Sequence, residues 1–162
     1  MATRLKDRVK EQVFQLKEKN ITPSLCVILV GDDPASRIYV DSKCRQCEDV
    51  GIRSISHILP ADTSQTALLK LIHELNDNPD IHGVLVQLPL PSFLDVTTII
   101  QAIAPQKDVD GLTFENIGRL GSSTPHLIPC TPKGCIKLLE RYLPTLQGLH
   151  AVVVGRSALV GK

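Results

Sequence analysis

The stretch Pro34-Ala-Ser-Arg-Ile-Tyr-Val-Asp-Ser-Lys43 decides how the chain is to be read. It follows an unbroken apolar run, Leu25 to Val30, and the turn residues Gly31, Asp32, Asp33 and Pro34. A short apolar run bounded by Gly and Pro reads as a buried strand, and the segment after it as a helix from about Ser36. Strand, tight turn and helix start form the edge of an α/β sheet, where ligands commonly bind. Within the helix, Tyr39 and Lys43 stand at i and i+4 and share one face, with Ser36 a turn earlier at the helix entrance. A hydroxyl, a phenol and an amine would then converge at the end of a strand. A Tyr–Lys pair at this spacing also occurs on plain solvated helix surfaces, so the rest of the chain has to decide.

Downstream, Gly51 is a helix-stopping residue and Ile52 to Leu59 reads as a second strand. Thr63 or Ser64 caps a helix carrying Leu68, Leu69, Ile72 and Leu75, which ends at Asn76 to Pro79. Val84, Leu85 and Val86 read as a central strand, with Gln87 at its carboxyl end, and Pro89 and Pro91 forbid its continuation. A polar side chain there either meets a ligand or satisfies loop amides. Phe93 to Ala104 reads as another helix. In Lys107-Asp-Val-Asp-Gly-Leu112 the two carboxylates lack the third ligand of a calcium loop. A carboxylate accepting from the N–H groups of a ligand fits better, and no metal is expected. Residues 116–125 read as an irregular linker. Thr131 as N-cap and Pro132 as first helical residue open a helix to about Leu143, and Ala151 to Val154 reads as a last strand.

Upstream, Arg4 to Lys19 shows Leu5, Val9, Val13 and Leu16 at helical spacing, and Ile21 to Val30 is the first strand, entered through Pro23. The final Gly155-Arg-Ser-Ala-Leu-Val-Gly-Lys162 matches neither the dinucleotide fingerprint nor a Walker loop, since position 157 is Ser and 156 is Arg. A strand running into a Gly-bracketed loop still suggests a phosphate site, with Arg156 and Ser157 as donors. The helix that would complete it is not in the sequence, so the chain reads as part of a longer protein.

The 162 residues suffice for one domain with a real core. Hydrophobic and charged fractions of 43% and 22% are those of a soluble globular protein. A net charge of +1 without a basic, aromatic-laced stripe argues against nucleic acid. No apolar run is long enough for a membrane, and the acids in the first twenty residues argue against a targeting peptide. Five Cys without framework spacing suggest a reduced, cytoplasmic setting. Cys44 and Cys47 form a C-x-x-C without a second ligand pair and are read as small apolar helix residues. Cys130, with His126 nearby, is a candidate nucleophile, or simply a buried residue at a helix entrance.

Five motifs in order now carry a resemblance: VGDDPASRIYVDSK (30–43), GVLVQLPLP (83–91), KDVDGL (107–112), PCTPKG (129–134) and VVVGRSALVG (152–161). From Val30 onward the sequence resembles the bifunctional methylenetetrahydrofolate dehydrogenase/cyclohydrolase family. The resemblance implies an α/β fold: a three-layer folate domain over residues 1–115, then the incomplete start of a Rossmann-like NAD(P)-binding domain over 116–162. It implies oxidation of 5,10-methylene- to 5,10-methenyltetrahydrofolate with NADP (or NAD), hydrolysis to 10-formyltetrahydrofolate, and a homodimer serving purine biosynthesis. By motif, Lys43 matches the catalytic lysine, Tyr39 the tyrosine that packs on the folate, Gln87 the lysine's partner, Asp110 the acid that grips the pterin, and Ser36 a serine beside the site. Leu88 and Pro89 fall in the substrate-binding stretch. Gly155, Arg156 and Ser157 match the start of the cofactor-phosphate site. The family's opening strand with Asp-Gly-Lys is absent. A folate-binding fragment without turnover is the alternative, and a Cys130 hydrolase the third reading.

The implied chemistry suits these groups. Hydride transfer needs two rings held face to face. Hydrolysis adds water to a cationic carbon and opens a C–N bond, which calls for proton transfer near neutral pH. A free lysine, with a pKa of about 10.4, is too basic for that role unless partly buried.

Overall fold

The computed structural model describes residues 2–157. β1 (Ser24–Val30) is central in a three-stranded parallel sheet of order β2-β1-β3, with β2 spanning Arg53–Leu59 and β3 spanning Gly83–Val86. Val27 pairs with Ser56 on one side and Leu85 on the other. Parallel neighbours need crossovers, and two helices supply them: α2 (Pro34–Val50) between β1 and β2, and α3 (Gln65–Asp77) between β2 and β3. The two crossovers run in opposite directions, so right-handed connections put their helices on opposite faces. The core divides accordingly. Cys26, Ile28, Val30, Val84 and Val86 pack with Leu68, Ile72 and Leu75 of α3 and with Ile99 and Ile100 of α4 (Val96–Gln101). Val27, Leu29 and Leu85 pack with Val40 of α2 on the other face. The sheet therefore lies between two helical layers.

Helix α1 (Ala2–Glu18) is placed against α2 by its one buried residue, Val13. Helix α2 starts earlier than its apolar pattern suggested. Asp33 is its N-cap, accepting from the amide of Ser36 at 2.8 Å, and Pro34 occupies the first turn. A cap carboxylate and a proline preset for helical φ explain that start. At the other end Gly51 adopts φ +86°, and the amide of Ile52 returns to the carbonyl of Cys47 at 2.9 Å. Ser64, not Thr63, caps α3, accepting from the amide of Ala67.

Five further expectations are corrected. The first strand begins at Ser24 rather than Ile21, because Pro23 has no N–H to donate to a ladder. Helix α4 is shorter than Phe93–Ala104, since Asp95 caps it by accepting from the amide of Thr97 at 2.9 Å. Residues 116–120 are not a linker: α5 (Phe114–Gly121) forms there, capped by Thr113. Helix α6 (Cys130–Tyr142) has Pro129 as N-cap and no side-chain cap bond, so Thr131 is inside it. The expected strand over 151–154 is not formed; Val152, Val153 and Val154 are exposed, and no described strand pairs with them. A strand without a ladder partner is not stable in water.

Gly51 supports one prediction. An added Cβ would stand 3.2 Å from Val13 Cγ1 and Lys17 Nζ at a left-handed φ. Gly51→Ala should therefore cost about 1–2 kcal/mol in urea unfolding. An unchanged midpoint would remove Gly51 as the stop of α2.

Candidate active site

The sheet order fixes where a ligand can bind. β1 and β3 are neighbours whose connections leave in opposite directions, which opens a crevice beyond their carboxyl ends. Helix α2 starts at that end of β1, and Lys43 lies on it in the third turn. Gln87 follows β3 directly, its amide donating to the carbonyl of Ile28 at 2.8 Å. Across the crevice Lys43 Nζ donates to Gln87 Oε1 at 3.0 Å. The other end of that amide, Nε2, donates to the carbonyl of Leu88 at 2.7 Å. Each amide atom of Gln87 thus has a defined partner, and the ammonium is aimed by a fixed carbonyl. The Leu88–Pro89 peptide is cis.

Asp110 approaches from the segment after α4. Lys43, Asp110 and Cys130 all line a groove of about 500 Å³ that runs down the sheet face over Leu25, Leu85 and Val109. Burial pushes the Asp110 carboxyl above the usual carboxylate range; Lys43 works against that shift and Asp108 adds to it. A half-buried acid held between a lysine and a second acid is an environment that shifts proton affinity, as sites of acid–base chemistry require.

The structure thus brings Lys43, Gln87 and Asp110 to one crevice. Tyr39, one turn before Lys43, is 65% exposed at its rim. Ser36 is 3% exposed and paired with Asp33, so its first task is the start of α2. Gly155, Arg156 and Ser157 are exposed and belong to no strand or helix. The rest of that loop, 158–162, lies outside the described residues.

Cys130 fits neither of its readings: the residue is exposed at the helix entrance rather than buried, and it is not set up as a nucleophile. Desolvation of Sγ, which faces the carbonyl of Val109 at 3.7 Å, and then Asp110 push its thiol up. No imidazole bonds to it among the described residues. Cys47 is likewise pushed up by burial, and the described residues hold no metal-ligating cluster that includes it or Cys44. Sequence reasoning also missed Asp108, Thr113 and Asn116, which are buried polar residues. A signal was present: Thr113 as an N-cap residue with Glu115 in the following turn is a helix-start pattern, hidden by reading Gly118 as a linker residue.

Two family models match the chain. The tetrahydrofolate dehydrogenase/cyclohydrolase catalytic domain matches residues 1–110, and the NAD(P)-binding domain of the same enzymes matches residues 129–162. The chain belongs to this family. It is 52% identical over 162 residues to bifunctional protein FolD 1 of Roseobacter denitrificans, covering 99% of this chain and 54% of that relative. Against FolD of Moorella thermoacetica it is 53% identical, over 100% of this chain and 58% of that one. The fold agrees with the Campylobacter jejuni FolD methylenetetrahydrofolate dehydrogenase/cyclohydrolase at a TM-score of 0.95 and 44% identity, over 98% of this chain and 57% of that one. It also agrees with the Trypanosoma brucei enzyme, solved with NADP and an inhibitor, at a TM-score of 0.94 and 32% identity, over 99% and 55% of the two chains. The chain spans about half the length of the relatives it matches.

The electrostatic link between Asp110 and Cys130 is directly testable. Asp110→Asn removes a charge that raises the thiol, so Cys130 should alkylate faster with iodoacetamide at pH 8, read by peptide mass mapping. An equal or slower rate would contradict the placement of Asp110 beside Cys130.

Proposed function

We propose that the whole protein oxidises 5,10-methylenetetrahydrofolate and hydrolyses the methenyl product to 10-formyltetrahydrofolate. The observation that carries this reading is the Lys43–Gln87 hydrogen bond at the carboxyl ends of β1 and β3, with Asp110 beside it. Asp110 is the acceptor for pterin N–H groups, and a carboxylate in a partly dry site makes strong charge-assisted bonds. Tyr39 offers its exposed ring to the flat folate at the rim, Leu88 and Pro89 border the crevice beside Gln87, and Ser36 lies beneath.

In the hydrolysis, water adds to the cationic methenyl carbon and loses a proton. A ring nitrogen then gains a proton as its C–N bond opens. Lys43 handles these proton transfers in our reading, with its amine aimed by the Gln87 carbonyl. The dinucleotide, NADP or NAD, supplies the hydride acceptor when bound. Gly155, Arg156 and Ser157 are proposed to begin its phosphate site, supported by the family match over 129–162.

The division near residue 115 is also proposed, between the two matched stretches. On helix α6, Ile136, Leu138 and Leu139 are apolar yet exposed; they would pack within a completed second domain. By family likeness we place the whole protein as a homodimer in the cytoplasm, feeding one-carbon units towards purine synthesis. All five cysteines are free, and no described helix is long and apolar enough to cross a membrane.

The test is methenyltetrahydrofolate hydrolysis by the full-length protein, followed as loss of methenyl absorbance. Lys43→Met should lower the rate by at least about a hundredfold, the usual contribution of a positioned proton-transfer group. A Lys43→Met protein hydrolysing at the parent rate would sink the assignment.

A further inference from the structure

The segment that presents Asp110 is tied down on both sides of it by groups that the proposed chemistry does not use. On one side, Lys107 Nζ donates to the carbonyls of Leu75 at 3.0 Å, Asn76 at 2.7 Å and Asn78 at 2.7 Å. These carbonyls stand at the carboxyl end of α3, where unpaired acceptors and the helix dipole favour a cation. The carbonyl of Lys107 in turn accepts from the amide of Val84 at 2.7 Å, which docks the segment on β3.

Next along the segment, Asp108 is 1% exposed. Its Oδ2 accepts from the amide of Thr113 at 2.8 Å and from Asn116 Nδ2 at 2.9 Å. Asn116, fully buried, also donates to the carbonyl of Pro105 at 2.9 Å. Flipping that amide would set its oxygen against a carboxylate, so its orientation is fixed. Past Asp110, Gly111 takes φ +66°, and a Cβ there would stand 2.9 Å from Leu127 O and Pro129 N.

A buried carboxylate is costly unless something compensates. Both donors to Asp108 are neutral, and no cation pairs with it among the described residues. An asparagine oxygen could accept the same two bonds, so hydrogen bonding alone does not call for a charge. What the charge adds is a fixed negative field two residues from Asp110, which makes that carboxylate a stronger acceptor.

We propose that Lys107 and Asp108 are positioning residues, which from one side of Asp110 hold its carboxylate in place for the pterin, with Asp108 also supplying a negative charge behind it. The proposal rests on the folate reading of Asp110. The groups that face Asp110 are Lys43 from α2, Asp108 on its own segment, and Cys130 from α6, with Lys133 near that thiol.

The experiment titrates tetrahydrofolate, kept under argon, into the full-length protein and its Asp108→Asn, Lys107→Met and Asp110→Asn variants, from pH 8 downward until the parent no longer binds. Asp108→Asn keeps the two hydrogen bonds but loses the charge, so Asp110 becomes a weaker acceptor and binding should weaken several-fold, up to roughly tenfold. Binding needs the ionised Asp110 and is lost as pH falls through its pKa. Removing the neighbouring charge lowers that pKa, so in Asp108→Asn the loss on acidification should move to lower pH. Lys107→Met should weaken binding several-fold with the acid midpoint unchanged, since its ammonium faces α3. Parent-like affinity and midpoint in Asp108→Asn, or parent-like affinity in Lys107→Met, overturns the proposal. Should Asp108→Asn not fold, the half-exposed Lys107→Met decides alone. Parent-like binding by Asp110→Asn would instead sink the folate reading itself.

Discussion

Strand β1 is buried from Cys26 to Val30, and that burial is the constraint on which the rest depends. A strand with both faces dry must have a strand on each edge and a helical layer on each face, because nothing else satisfies its amides and covers its side chains. The order β2-β1-β3 meets the first need and the opposed helices α2 and α3 meet the second. Once those are fixed, the crevice at the carboxyl ends of β1 and β3 follows from topology. The chemistry is placed by the same geometry, since α2 must begin there and carries Lys43 across it.

Around the crevice, local devices set the geometry of each group. Asp33 and Pro34 start α2, which fixes the turn on which Lys43 falls. Gln87 leaves β3 with its amide bonded to β1, and its side chain spans the ammonium and the next carbonyl. Asp110 is carried on a segment whose own side chains anchor it elsewhere. Flexible lysine and aspartate side chains thus act from positions that backbone bonds determine, which is how a site holds reacting groups within a fraction of an ångström.

Much of this was legible in the sequence. Apolar runs marked β1 and β3, and the Tyr39–Lys43 spacing marked one face of α2. Local pattern failed where tertiary partners decide. Asn116 looked like a linker residue because its reason for being there is Asp108, eight positions away and fully buried. Asp108 and Asp110 looked alike in sequence, yet one is walled in by amide donors and the other opens onto the crevice. The valines at 152–154 have strand propensity but no described neighbour, and propensity without a ladder makes no strand.

The central claim is that a reduced folate sits at the β1/β3 crevice with its reactive carbon beside Lys43. A crystal structure of the full-length protein with a bound tetrahydrofolate derivative tests it most directly. The account predicts the pterin N–H groups within hydrogen-bond reach of Asp110, the bridging carbon next to Lys43 Nζ, and the Lys43–Gln87 bond retained. A folate bound with its pterin away from Asp110 and its bridging carbon away from Lys43 would contradict it.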